Sequence, residues 1–281
     1  MVLLKNESTS AQAKKRIVFC TYASIYSSKV MEMLIADNDI ELVGVINSTR
    51  VLSTKYGHLS GALKQIKTSG LRYSSYLFMV TDAFKALQPL FLFQKWPLRD
   101  VHRLAKLHDI PVHDTKDINS IDSVEFIRSV TPDFLLGSHF NQLIKKDVLS
   151  LDSLQCINIH PSLLPKYQGV DPVFFAMNDE QKTIGVTVHR MAETFDSGEI
   201  LMQRAYDVDK TKSLFFNNCL LFQEGIRLTL KWIKTDQKQL LPTSTENLSG
   251  NYDSWPTSKN VKNFKKMGNR FISLTGLWKQ Q

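Results

Sequence analysis

Short apolar runs of strand length alternate along this chain with stretches of helical period. Arg16-Ile17-Val18-Phe19-Cys20 is the first such run, followed by a helical pattern from Lys29 to Ala36 and a second apolar run at Leu42–Ile46. A helix over Val101–His108 leads to a third strand at Ile110–His113, and a helix over Ser123–Ser129 leads to a fourth at Phe134–Gly137. Cys156–Ile159 is the fifth strand. Strands separated by helices predict an α/β fold built on a doubly wound, mostly parallel sheet. Gly185–Val188 and Ile200–Tyr206 read as further strands, and Leu214–Lys234 as a long amphipathic helix that closes the domain. Ligands of such sheets bind beyond the carboxyl ends of the strands, which here means just after Gly137 and Ile159.

The segment from Val51 to Trp96 breaks the alternation and is too long for an ordinary connection. It reads as a helical insertion whose second part, Tyr73 to Phe93, is strongly apolar. Asp82, Lys85 and Gln88 interrupt that part, so it is not expected to span a bilayer. A helix resting on the domain or forming a homodimer contact is the first reading, and an interfacial helix at a membrane surface the second. Residues 236–281 carry the turn signals Pro242, Gly250 and Pro256 and then a basic helix from Ser258 to about Lys266. The expected organisation is a lead-in over 1–15, a domain over 16–235 interrupted by 51–96, and a basic extension over 236–281.

Composition narrows the class. With 43% hydrophobic and 22% charged residues the chain has the make-up of a soluble globular protein. Cys20, Cys156 and Cys219 are far apart and form neither a CxxC nor a Cys/His cluster, so no disulfide scaffold or metal site is expected and a reducing cytoplasm fits. The N-terminal residues lack an apolar region of signal-peptide length. A peripheral membrane location is kept as the alternative because of the 73–93 segment. The net charge of +8 is unevenly spread: after Asp253 there are six basic residues and no acidic one. A basic tail favours an anionic partner such as nucleic acid, phosphate or a membrane surface, unless it is simply a solvated helix.

The candidate chemistry begins where the fifth strand ends. In Asn158-Ile159-His160-Pro161-Ser162-Leu163-Leu164-Pro165-Lys166-Tyr167-Gln168-Gly169 an amide and an imidazole stand two residues apart, hence on one face of a strand. Asn158 can donate hydrogen bonds to a developing oxyanion, and His160 can carry a proton near neutral pH. That pairing suits acyl transfer through a tetrahedral intermediate. Taken alone, His160 would be a satisfied loop histidine and Asp196-Ser197-Gly198 a turn. His189 reads as a packed strand residue.

These residues resemble the folate-dependent formyltransferase family, which includes glycinamide ribonucleotide, methionyl-tRNA and sugar N-formyltransferases. The resemblance rests on the run from Asn158 to Gly169, on Gly185-Val186-Thr187-Val188-His189 with Phe195-Asp196-Ser197-Gly198-Glu199-Ile200-Leu201, and more weakly on Pro132 to Ile144. It covers roughly 40–235 and implies a Rossmann-like catalytic domain over 16–235. By resemblance, Asn158, His160 and Asp196 form the catalytic set. The formyl donor would be 10-formyltetrahydrofolate, its pterin held by the loop of Phe140, Gln142, Leu143 and Ile144 and by the backbone at Ala192 and Glu193, without a metal. The acceptor would be a primary amine on a small molecule. The loop Thr21–Ser28 departs from the family in lacking glycine, which leaves the donor site intact and the acceptor open. A GxGxxG fingerprint is absent, so a dinucleotide is not expected. About 45 residues follow the long helix, too few for the C-terminal barrel of a methionyl-tRNA formyltransferase. A nucleotide-linked amino sugar is therefore the favoured acceptor, with methionyl-tRNA, or water as in a formyltetrahydrofolate hydrolase, as alternatives.

Overall fold

A computed structural model describes residues 13–50, 57–83, 99–235 and 252–273. Seven strands form its central sheet: β1 (Lys15–Thr21), β2 (Ile40–Ser48), β3 (Val112–Thr115), β4 (Phe134–Ser138), β5 (Gln155–His160), β7 (Thr183–Arg190) and β8 (Ile200–Asp207). Their order across the sheet is β3-β2-β1-β4-β5-β7-β8. The first five run parallel, whereas β7 pairs antiparallel with β5, and β8 antiparallel with β7. β6 (Gln168–Gly169) pairs outside this sheet with β9 (Tyr252–Asp253).

The period of two sorts side chains into two cores. Ile17 and Phe19 of β1 join one apolar cluster, while Val18 and Cys20 join the other. A strand buried on both faces must be largely apolar, which is why β1, β2, β4 and β5 are legible as apolar runs, whereas the edge strand β3 carries His113 and Asp114 and is only partly buried. Boundaries moved for identifiable reasons. Helix α1 (Ile25–Ile35) begins four residues before the expected Lys29 because Ser24 caps it, accepting from the Ser27 amide. The third strand starts at Val112 instead of Ile110; Pro111 has no N–H to give the ladder, and only its carbonyl is used, by Val45.

Helix α2 (His58–Phe78), continued by a π-helical turn at Met79–Ala83, forms the described part of the insertion. Gly70 kinks it at φ 79, and a side chain there would press on Ser258. Tyr73, Tyr76 and Val80 are buried in the main core, while Leu71 and Phe78 face out. This part of the insertion rests on the domain, its aromatic face turned inward. Residues 84–93 of the expected apolar segment lie outside the described residues. Among the described residues no helix is long and apolar enough to cross a membrane.

Three short helices, α3 (Val101–Leu107), α4 (Ile121–Ser129) and α5 (Lys146–Leu149), link the parallel strands. α6 (Pro172–Asn178) follows the loop after β5, and α7 (Leu214–Lys234), capped by Ser213, packs along β5 and β7. The C-terminal helix α8 (Ser258–Lys266) is half embedded: Phe264 is fully buried and stacks on Phe174 at 4.7 Å, while Lys259, Lys262, Lys265 and Lys266 are exposed. The basic helix is thus an amphipathic layer of the main core with a solvated cationic stripe.

Insertion and loop meet at Asp171, a left-handed residue (φ 49) that caps α6 and accepts the Tyr73 hydroxyl at 2.8 Å. Burial pushes its carboxyl up to about 6 from an ordinary 3.8. The fold therefore favours the neutral acid: its stabilising contribution is full below about pH 4 and is lost as pH rises through about 6. Asp171→Asn is expected to be more stable than wild type at pH 7.5 by about 1–3 kcal/mol. The gain should vanish near pH 4 in urea unfolding series.

Candidate active site

β5 ends with Asn158 facing Gly137 of β4 on one side and His189 of β7 on the other; His160 pairs with Thr187. Gly137 has to be a glycine. A Cβ there would lie 2.7 Å from Asn158 Oδ1 and 2.5 Å from Met191 Cε. The missing side chain is the space into which the Asn158 amide fits. Its Nδ2 donates to His189 Nε2 at 3.1 Å, and His189 in turn donates from Nδ1 to the Arg190 carbonyl at 2.8 Å. These bonds fix the His189 tautomer and the amide orientation together. Burial pushes His189 down to about 4, against the pull of Asp196, so it is a neutral acceptor at physiological pH. One Asn158 amide hydrogen is thereby committed and the second is available to a ligand.

Asp196 lies in the turn between β7 and β8 with φ 51, a conformation Asp tolerates. Two residues on, a Cβ at Gly198 would be 1.8 Å from the Arg190 carbonyl, so only glycine lets the turn close this tightly. Asp196 Oδ1 is 3.3 Å from His160 Nδ1 and 3.7 Å from His189 Nε2. Oδ2 accepts the Gly169 amide at 2.8 Å. His160 donates from Nε2 to the Tyr167 carbonyl at 2.9 Å, which directs Nδ1 at the carboxylate. A proton between His160 and Asp196 can sit on either heteroatom, giving a neutral pair or an imidazolium–carboxylate pair.

A shallow, solvent-open cleft adjoins this cluster. Asn158, His189 and Asp196 line it, together with Phe140, Gln142, Leu143, Ile144 and Ala192. Two expected residues stand elsewhere. His160, 5% exposed, lies behind Asp196 and is not among the lining residues, and neither is Glu193. Gln142 borders the cleft with its amide already committed: it accepts the Ile118 amide and donates to Ser48 and to the Thr115 carbonyl. Its side chain ties the loop to β2 and β3 and is not free for a ligand. Met191, Thr194 and Phe195 complete the wall. Met191 immediately precedes the expected Ala192 and Glu193, and Thr194 and Phe195 lie between these and Asp196, so proximity in sequence to Asp196 is the available signal. His189, expected only to pack, does pack and also orients Asn158. Among the described residues no group of three or more His, Cys, Asp or Glu side chains could hold a metal ion.

Residues 98–216 match the family described as formyl transferase. This segment belongs to the formyltransferase family. A methionyl-tRNA formyltransferase of Thermotoga maritima is 38% identical over 109 residues, which are 39% of this chain and 35% of that protein. The chain thus matches about a third of the length of that relative. A sugar 3N-formyl transferase, solved in the presence of dTDP and 5-N-formyl-THF, superposes with a TM-score of 0.54 at 17% identity, covering 86% of this chain and 70% of that one. The phosphoribosylglycinamide formyltransferase of Bacillus halodurans gives 0.52 at 19% identity, over 83% of this chain and 98% of that one. At such identities the superpositions speak for a shared fold, which extends beyond the segment matched in sequence.

Gly137→Ala is expected to destabilise the fold by about 1–3 kcal/mol through overpacking, read in urea unfolding. In NMR titrations the His189 ring should keep its neutral Nδ1–H form from pH 8 down to about pH 5, protonating only near 4.

Proposed function

We propose that this protein transfers a formyl group from 10-formyltetrahydrofolate to a primary amine. The observation that carries the reading is the convergence of Asn158, His160 and Asp196 beside a cleft walled by Phe140, Leu143, Ile144 and Ala192. Apolar side chains beside the polar groups of Asn158 and Asp196 suit a pterin, which is apolar on its faces and rich in donors and acceptors at its rim.

The roles follow from the hydrogen bonds. A neutral amine attacks the formyl carbon, and the carbonyl oxygen becomes an oxyanion. The uncommitted Asn158 amide hydrogen donates to it, while His189 holds the amide in place. The nitrogen that has bonded must lose a proton. Asp196, the group that borders the cleft, accepts it and passes it to His160 Nδ1, forming the imidazolium–carboxylate pair. The proton then returns by the same route to the departing folate nitrogen as the tetrahedral intermediate collapses. His160 acts from behind the carboxylate, as a proton reservoir.

An amino sugar linked to a nucleotide is the favoured acceptor. The exposed lysines of α8 offer a cationic surface that suits an anionic acceptor. Methionyl-tRNA is the second reading, supported by the Thermotoga relative and by the same cationic stripe.

Tetrahydrofolate release from 10-formyltetrahydrofolate, followed spectrophotometrically with nucleotide-linked amino sugars, methionyl-tRNA, glycinamide ribonucleotide or buffer alone, tests the reading. Release that depends on one amine identifies the acceptor. Release in buffer alone makes the protein a hydrolase, and absence of release with every acceptor argues against the proposal. Asn158→Ala should lose about 10²–10³ in kcat. His160→Ala should lose about 10²–10⁴ while remaining folded by circular dichroism.

A further inference from the structure

We propose that the C-terminal strand Tyr252–Asp253 positions Asp196, acting through β6, so that the segment beyond the family-matched residues completes the active site. The inference rests on the formyl-transfer reading for its catalytic consequence and on backbone geometry for its physical content.

Three contacts make the loop after β5 the mount of the proton relay. The Tyr167 carbonyl accepts from His160, the Gly169 amide donates to Asp196 Oδ2 at 2.8 Å, and the Gln168 side-chain amide donates to the Asp196 carbonyl at 3.1 Å. The loop is itself irregular, with Tyr167 at φ 58 and Gly169 at φ 101, so local helix or sheet propensity does not hold it. What holds it is β9. Gln168 pairs with Tyr252 and Gly169 with Asp253, and the next amide, Val170, donates to the Asp253 carbonyl at 2.8 Å. The approach is close enough that a Cβ on Gly169 would stand 2.3 Å from the Asp253 carbonyl oxygen. Gly169 therefore permits both contacts at once: its amide faces Asp196 and its α-carbon lies against β9.

β9 is anchored from behind. Ser258 donates to the Thr68 carbonyl of α2, Phe264 stacks on Phe174, and the Arg270 and Phe271 carbonyls accept the first amides of α7. On its outer side Tyr252 meets Phe195, the residue before Asp196, with ring centroids 6.2 Å apart. The titratable groups that face Asp196 are His160 from β5, His189 from β7 and Tyr252 from β9. The Gly169 amide is the donor from β6. A backbone N–H donated to a carboxylate favours its charged form, so removing it makes the acid harder to ionise.

Asp253→Pro removes a strand amide and loosens β9 without touching a residue of the relay. With 10-formyltetrahydrofolate as donor and the panel amine that supports turnover, its kcat is expected to fall about ten- to hundredfold. The KM for the donor should stay within about threefold of wild type, and the acid limb of the kcat–pH profile should move to higher pH. Gly169→Ala, which drives the same two backbones apart from the other side, is expected to shift the limb in the same direction. A folded variant with the wild-type limb and kcat overturns the proposal. Hydrogen exchange on the wild-type protein decides independently of any variant. The Gly169 and Val170 amides should be protected to the level of β5, and exchange at the rate of an open loop overturns the proposal. Wild-type protein that transfers no formyl group to any panel amine defeats the functional reading and leaves the exchange result to decide the strand's role.

Discussion

A buried carboxylate flanked by two imidazoles is stable only while its oxygens are supplied with hydrogen-bond donors and its neighbours are fixed in protonation state. Asp196 meets this constraint with the Gly169 amide donating to Oδ2, while its Oδ1 lies 3.3 Å from His160 Nδ1, close enough for the two groups to share a proton. His189, the other imidazole, is kept neutral by burial and turned toward Asn158 by its bond to the Arg190 carbonyl. Much of the surrounding architecture reads as a means of holding that arrangement. β5 delivers the amide and His160, β7 delivers His189, and the turn at Gly198 brings Asp196 back over them.

Antiparallel β7 matters to this arrangement. In a purely parallel sheet the residue beside Asn158 would lie on a strand whose end leads away through a crossover helix. An antiparallel neighbour instead places His189 next to the Asn158 amide and continues directly into the Asp196 turn. The two stretches of sequence that carry Asn158 and Asp196, almost forty residues apart by the chain, meet because of a single strand pairing.

A second layer, made of the insertion and the C-terminal segment, covers the helix side of the domain. Tyr73 and Tyr76 of α2 pack with Phe271, and Phe264 stacks on Phe174. Both segments fall outside the residues matched to the family, and each touches the loop between β5 and α6: Tyr73 bonds Asp171, and Asp253 pairs with Gly169. The loop that contacts His160 and Asp196 is thus gripped from two sides by segments outside the family-matched stretch.

The sequence by itself determined the inner parallel strands β2, β1, β4 and β5, because strands buried on both faces are largely apolar, and it marked Asn158 and His160, because a period of two sets them on one face. It also marked the Asp196 turn, because Asp and Gly in sequence favour left-handed backbone. Tertiary structure alone decided that Gln142 is a tie between strands, that His189 orients Asn158, and that His160 sits behind Asp196 instead of in the cleft wall. Those outcomes depend on which groups meet across the sheet, and a side chain's partners at long range leave no trace in local pattern. The half-buried basic helix is the plainest instance. Its lysines were visible in the sequence, but that Val261 and Phe264 would find a core at α2 and α6 depended on a surface assembled from residues nearly a hundred and nearly two hundred positions earlier.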